Sequence, residues 1–214
     1  MTALISNKKY VDLSEPDKLI MALSQGLAGW ASFMSFGFRK RTYSEYLFYY
    51  PIYEMAIGRR WQIRPQAEIA SDTTYSKSKS VDFVFYKSAR PKAGLEKCSV
   101  ALEVKYIKNP ASFSGSIESD VEKLSGLSAA HLGVEKYGKP RKYMMIVGKQ
   151  KHLSEFFDKY PKIELKKKVY GQVRTVLSGR ENLASPHGWY ALGVGSTSNR
   201  FCVCVLTEQD YWNE

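Results

Sequence analysis

The sequence predicts an α/β fold, a mixed central β-sheet flanked by helices. Three observations carry that expectation. Residues 81–86 and 99–107 read as strands. Residues 116–131 repeat their apolar positions at three- and four-residue steps, as a helix does. Residues 143–147 are continuously apolar, as a central strand is. With 44% hydrophobic and 14% aromatic residues in 214, the chain has material for a sizeable core. Disordered, collagen-like and mucin-like chains are thereby excluded.

In chain order, Ser14 caps a helix over 15–25, with Glu15 and Asp17 in its first turn, Pro16 where a missing donor is harmless, and Gly26 as its end. Residues 26–41 are punctuated by glycines and end on Arg39, Lys40 and Arg41; loop, second helix and phosphate-contacting edge all remain open. Thr42 opens a helix to about residue 58, bent at Pro51. A strand over 61–70, a polar turn and the strand over 81–86 follow, then a basic loop over 87–97 and the strand over 99–107, closed by Asn109 and Pro110. After the helix over 116–131 and the strand over 143–147, a helix over 152–160 stops at Pro161. Residues 169–177 form an element of open type, and 189–194 with 201–206 form a hairpin. The expected organisation is an N-terminal helical appendage, 1–41, and an α/β domain, 42–214.

Lys and Arg number 32 against 21 Asp and Glu, a formal charge of +11. Such a surplus attracts polyanions, and nucleic acid is the expected partner. Residues 139–174 hold eleven basic against three acidic residues, with Lys166, Lys167 and Lys168 in one run. These three, with Arg39, Lys40 and Arg41, are the candidate phosphate contacts; an ordinary solvated face is the alternative. Cys98, Cys202 and Cys204 show no disulfide framework, and no His or Cys spacing suits structural zinc. A reducing cytoplasm is expected. The uncharged run 19–38 has the length of a membrane span, but seven of its twenty residues are Ser, Gln or Gly, so neither a span nor a signal peptide is expected.

The chemistry is concentrated in two adjoining strands. Asp82 stands at the start of one, and Glu103-Val104-Lys105 lies in the next. Strand side chains alternate, so Glu103 and Lys105 share a face about 6.6 Å apart while Val104 faces away. Paired as a hairpin, the strands bring Asp82 beside them. Two carboxylates on a sheet edge suit Mg²⁺, with Mn²⁺ as a substitute, because hard ions take oxygen ligands and retain water. Asp82 and Glu103 are the candidate ligands, the Val104 carbonyl is a further one, and Lys105 is the group to position water or neutralise a phosphate. The alternatives are a turn-ending Asp and a surface ion pair.

This order of elements, a helix bearing Glu, a strand, Asp82 in a strand, Glu103-Val104-Lys105 in a strand, helix and strand, resembles the core of the PD-(D/E)XK nuclease superfamily over roughly residues 42–148. The resemblance implies a restriction-endonuclease-like fold and Mg²⁺-dependent phosphodiester hydrolysis. It implies Asp82 and Glu103 as metal ligands, Lys105 as the catalytic lysine and a glutamate of the first helix completing the site. Val81 stands where the family name has Pro, a position that varies.

Two glutamates qualify, and nine residues at about 100° each set Glu45 and Glu54 on opposite faces. Glu45 is favoured, sharing a face with Tyr49, Ile52 and Ala56; its competing role is a capping box with Thr42. Asp120 and Lys123 match a polar pair of the family's second helix but are expected to face solvent. The tyrosines crowding 43–53 read as core, with a stacking platform for unpaired bases as the alternative. Trp30, Phe33, Phe36 and Phe38 suggest a homodimer surface. The expected activity is an endonuclease ahead of an exonuclease, on DNA ahead of RNA. The competing expectation is a non-catalytic nucleic-acid-binding module on the same fold.

Overall fold

The computed structural model describes residues 13–37, 44–70, 80–88, 97–109, 114–159, 184–185, 188–192 and 200–207. Its helices are α1 (Glu15–Gly37), α2 (Tyr49–Gly58), α3 (Ser114–Ser125) and α4 (Gln150–Lys159). Its strands are β1 (Gln62–Glu68), β2 (Ser80–Lys87), β3 (Cys98–Ile107), β4 (Arg141–Lys149), β5 (Ala184–Ser185), β6 (Gly188–Leu192) and β7 (Phe201–Thr207). They form one sheet in the order β1-β2-β3-β4-β7-β6-β5. The fold is therefore α/β with a mixed sheet, since β3 and β4 run parallel and every other neighbouring pair is antiparallel. A parallel pair needs a crossover, and α3 lies on the one between β3 and β4.

Helices cover both faces. On one, α1 and α2 bury Leu19, Ile20, Leu23, Leu27, Ile52 and Ala56 against Phe83, Leu102, Val104 and Met145. On the other, α3 and α4 bury Ile117, Leu124, Leu153 and Phe156 against Val84, Ala101, Ile107 and Ile146. Covered on both sides, β4 is buried almost throughout, which is why its apolar run 143–147 shows no alternation.

Within the N-terminal segment, α1 packs as a layer on the sheet. Ser14 does cap α1, its Oγ accepting the Asp17 N–H at 3.3 Å. The Asp17 carboxylate then ties the helix to β4, accepting from Tyr143 Oη at 2.6 Å and Arg141 at 2.9 Å. Gly26 does not end the helix, which runs on to Gly37. A Cβ on Gly26 would collide with Met55 Sδ, so this glycine leaves room for the Met55 side chain of α2 against α1. Trp30, expected on a dimer surface, meets Phe48 edge-on at 6.2 Å between ring centres. Phe33 is exposed, while the Phe36 side chain and Phe38 lie outside the described residues.

Two other boundaries differ from expectation. The segment after residue 44 opens as a 3₁₀ turn, Glu45–Phe48, and becomes α-helical at Tyr49. Pro51 therefore falls in the first turn of α2, where its missing N–H has no partner to lose and no bend is required. α3 ends at Ser125, six residues short of the expected limit, because Gly126 follows it into a series of turns. Residues 169–177 lie outside the described residues. Among the described residues no helix is long and apolar enough to cross a membrane.

Candidate active site

The site forms where β2 and β3 part. Their ladder runs from Lys87↔Cys98 to Phe83↔Leu102. At the next position Asp82 offers its side chain in place of its backbone, and Oδ2 accepts the Val104 N–H at 2.8 Å. On the other side of β2, the pairs Pro65↔Phe83 and Ala67↔Val81 flank Gln66, whose φ of 47° is left-handed. Few non-glycine residues adopt that region, and those that do cluster at functional sites. β2 also changes face here: Val81 packs with Val84 under α3 and α4, while Phe83 and Phe85 pack under α1 and α2. This break in the pleat aims Asp82 at the end of β3.

Asp82 is held from its other oxygen too. The Tyr49 hydroxyl donates to Oδ1, and the Gln66 amide donates to Tyr49 Oη at 3.0 Å. Burial, the bond to Asp82 and that carboxylate's charge raise the Tyr49 pKa far above its ordinary value, so the phenol remains a donor.

On β3, Glu103 is 2% exposed, and Lys105 is more open. Glu103 Oε1 lies 2.6 Å from Lys123 Nζ of α3. Lys123 also meets Asp120 at 3.3 Å and donates to the Ser80 carbonyl at 3.0 Å. Lys105 Nζ lies 2.8 Å from Asp120 and 3.7 Å from Glu45. The Glu45 carboxylate also accepts the Tyr106 backbone N–H. It thus points to β3; Thr42, its expected capping partner, lies outside the described residues. Glu54 is exposed on the opposite side of the segment.

Four carboxylates, Glu45, Asp82, Glu103 and Asp120, therefore surround two ammonium groups, a formal charge of −2 in a largely buried setting. The strain appears in their titration. Burial first, then the Asp82 charge, pushes Glu103 up to about 8 against the opposing pull of Lys123. Burial also raises Glu45, with Asp82 and Asp120 adding to the effect against the pull of Lys105. For Lys105, burial pulls downward, but the bond to Asp120 and the charges of Asp120, Glu45 and Asp82 carry it above its ordinary value, so it is cationic at neutral pH.

A hard divalent cation fits this donor set. Its side-chain donors are oxygens of carboxylates with surplus negative charge. Glu103 Oε1 and Asp120 Oδ2 are buried, and each meets a lysine ammonium rather than a neutral donor. Among the described residues no three His, Cys, Asp or Glu side chains are already gathered as a ligand set, because Lys105 and Lys123 stand between the carboxylates. A +2 ion would take over the neutralising role now filled by Lys123.

Thus Asp82, Glu103, Lys105 and Glu45 come together, and Val104 joins them through its N–H while its side chain is buried on the other face. Asp120 and Lys123 do not face solvent; they complete the cluster. Their signal was in the sequence: Ile117, Asp120 and Leu124 follow i, i+3, i+7 spacing, which puts Asp120 beside the buried stripe. Tyr49 and Gln66 had no comparable signal. Arg39, Lys40, Arg41, Lys166, Lys167 and Lys168 lie outside the described residues.

No protein-family model, curated protein or solved structure matches this chain.

Proposed function

We propose that this protein is a Mg²⁺-dependent nuclease of the PD-(D/E)XK type that hydrolyses phosphodiester bonds of DNA endonucleolytically. The observation that carries this reading is the meeting of Asp82 with Glu103 and Lys105 at the point where β2 and β3 separate. Asp82 and Glu103 would hold the metal, with the Val104 carbonyl as a further ligand. Bound Mg²⁺ supplies Lewis acidity, polarising the phosphodiester and easing deprotonation of a coordinated water.

The protein's own groups do the rest. Lys105, held cationic by the carboxylates around it, positions water or neutralises charge developing on the phosphate. Glu45 and Asp120 fix its ammonium from two sides. Tyr49 and Gln66 fix the Asp82 carboxylate and hence the angle from which it reaches a ligand. The excess positive charge of the whole chain draws in the polyanion.

The second reading, a nucleic-acid-binding module without turnover, is favoured by one contact, the 2.6 Å pair of Lys123 with Glu103 that occupies a proposed ligand. Incubation of the protein and Lys105→Ala with circular single-stranded DNA, duplex DNA and RNA in Mg²⁺, Mn²⁺ and EDTA separates the two. Metal-dependent cutting by the wild type, reduced about 10²- to 10⁴-fold in Lys105→Ala, supports the nuclease. Binding without cutting in every metal selects the module.

A further inference from the structure

One surface beside the site is built against the usual rule for a solvated helix. Tyr46, Tyr50, Tyr53 and Ile57 are 71%, 69%, 39% and 46% exposed. Tyr50, Tyr53 and Ile57 step by three and four residues along one face of α2, and Tyr46 precedes them on the 3₁₀ turn, a stripe roughly 16 Å long. A contiguous exposed apolar stripe costs solubility unless something covers it. Its inner end joins the carboxylate cluster: the Tyr46 ring packs edge-on against Tyr49 at 5.3 Å, Tyr49 donates to Asp82, and the adjoining Glu45 pairs with Lys105. Its outer end is Arg59 and Arg60, both exposed, and neither makes an ion pair among the described residues.

We infer that this stripe binds single-stranded nucleic acid, with bases stacked on Tyr46, Tyr50 and Tyr53 and phosphates drawn to Arg59 and Arg60, so that an unpaired strand leads into the carboxylate cluster. The inference rests on the nuclease reading and names its substrate as a strand with unpaired bases. Three residues in the stripe are tyrosines, whose flat rings stack on any base. The stripe accommodates about four bases at ~3.4 Å each. Bases inside a duplex hide their faces and could not use it. A second copy of the chain is a poorer occupant, because it would bring another formal charge of +11 against these exposed arginines, whereas a phosphate backbone complements them. Glu54, exposed near Tyr53, is the one acid of α2 and opposes the backbone there.

The test is fluorescence anisotropy of the full chain in EDTA with three labelled oligonucleotides of equal length: a mixed-sequence single strand, its duplex and an abasic strand. The single strand is expected to bind at least tenfold more tightly than either of the others. Tyr50→Ala and Tyr53→Ala should each lose about tenfold for the single strand and little for the abasic one, whereas Tyr50→Trp retains affinity. Arg59→Ala with Arg60→Ala should weaken all three and flatten the salt dependence, and Glu54→Gln should tighten binding. Equal affinity for normal and abasic strands, or a wild-type dimer in sedimentation that Tyr50→Ala/Tyr53→Ala makes monomeric, overturns the inference. Both substitutions are at exposed positions, and a circular dichroism spectrum confirms that they fold. Adding Mg²⁺ then tests the parent reading separately: preference for unpaired bases without cleavage of any strand sinks the nuclease and leaves the stacking surface standing.

Discussion

Glu103 shows how much one residue's surroundings decide. Its carboxyl is pushed up to about 8, so between about pH 4.5 and 8 the folded chain holds a proton that the unfolded chain releases. The folded state binds more protons across that window, and stability falls as pH rises through it, by about 1 kcal/mol per pH unit. Denaturant melts at pH 5.5 and 8 should show this slope in the wild type and its loss in Glu103→Gln. Lys123 competes with any cation for the same oxygen, at 2.6 Å. Lys123→Met removes that competitor but also the cation that holds the Glu103 carboxyl down, so at pH 8.5 the variant is expected to release more protons than the wild type on binding Mg²⁺; calorimetric titration in buffers of different ionisation enthalpy reads it directly. Asp82, Glu103 and Lys105 were legible in the sequence because their spacing along two strands is local. Asp120 and Lys123, contrary to expectation, do not face solvent; the spacing of Ile117, Asp120 and Leu124 sets Asp120 beside the buried stripe of α3, but nothing local says which strand that stripe meets.

Among the elements, α1 departs furthest from its reading. Twenty-three residues long and interrupted by Gly26 and Gly29, it reads as a short helix and a loop, because glycine inside a helix costs about 1 kcal/mol relative to alanine. Tertiary packing outweighs that cost. Leu19, Ile20, Leu23 and Leu27 are at most 1% exposed, and fully burying each such side chain stabilises the fold by about 1.5–3 kcal/mol. Leu23→Ala should therefore cost about 2–5 kcal/mol, visible as a fall in the denaturation midpoint. Pro51 gives the opposite lesson. As a residue it signals a kink, yet the 3₁₀ turn before it moves the start of α2 so that the proline sits in the first turn.

For the molecule as a whole, the sheet depends on α1 as one of its covers, since β7 and β4 present Phe201, Val203, Val205, Met145 and Val147 to the α1 side. Removal of residues 1–41 is expected to leave a protein that aggregates or binds a hydrophobic dye and melts without a cooperative transition, in contrast to the full chain. A cooperative melt of the shortened chain would show residues 42–214 to be self-sufficient. The sequence by itself determined the class of the fold, the succession of strands and helices along β1 to β4, and the pairing of acid and base on β3. Those properties follow from periodicity, which a chain carries locally at two or 3.6 residues per repeat. Only the tertiary structure decided that α1 is a layer, that Glu45 rather than Glu54 meets Lys105, and that Tyr49, Gln66, Asp120 and Lys123 enclose the carboxylates. Each of those contacts joins different elements, and burial there depends on which faces meet, a property of the assembled layers that no single stretch of chain encodes.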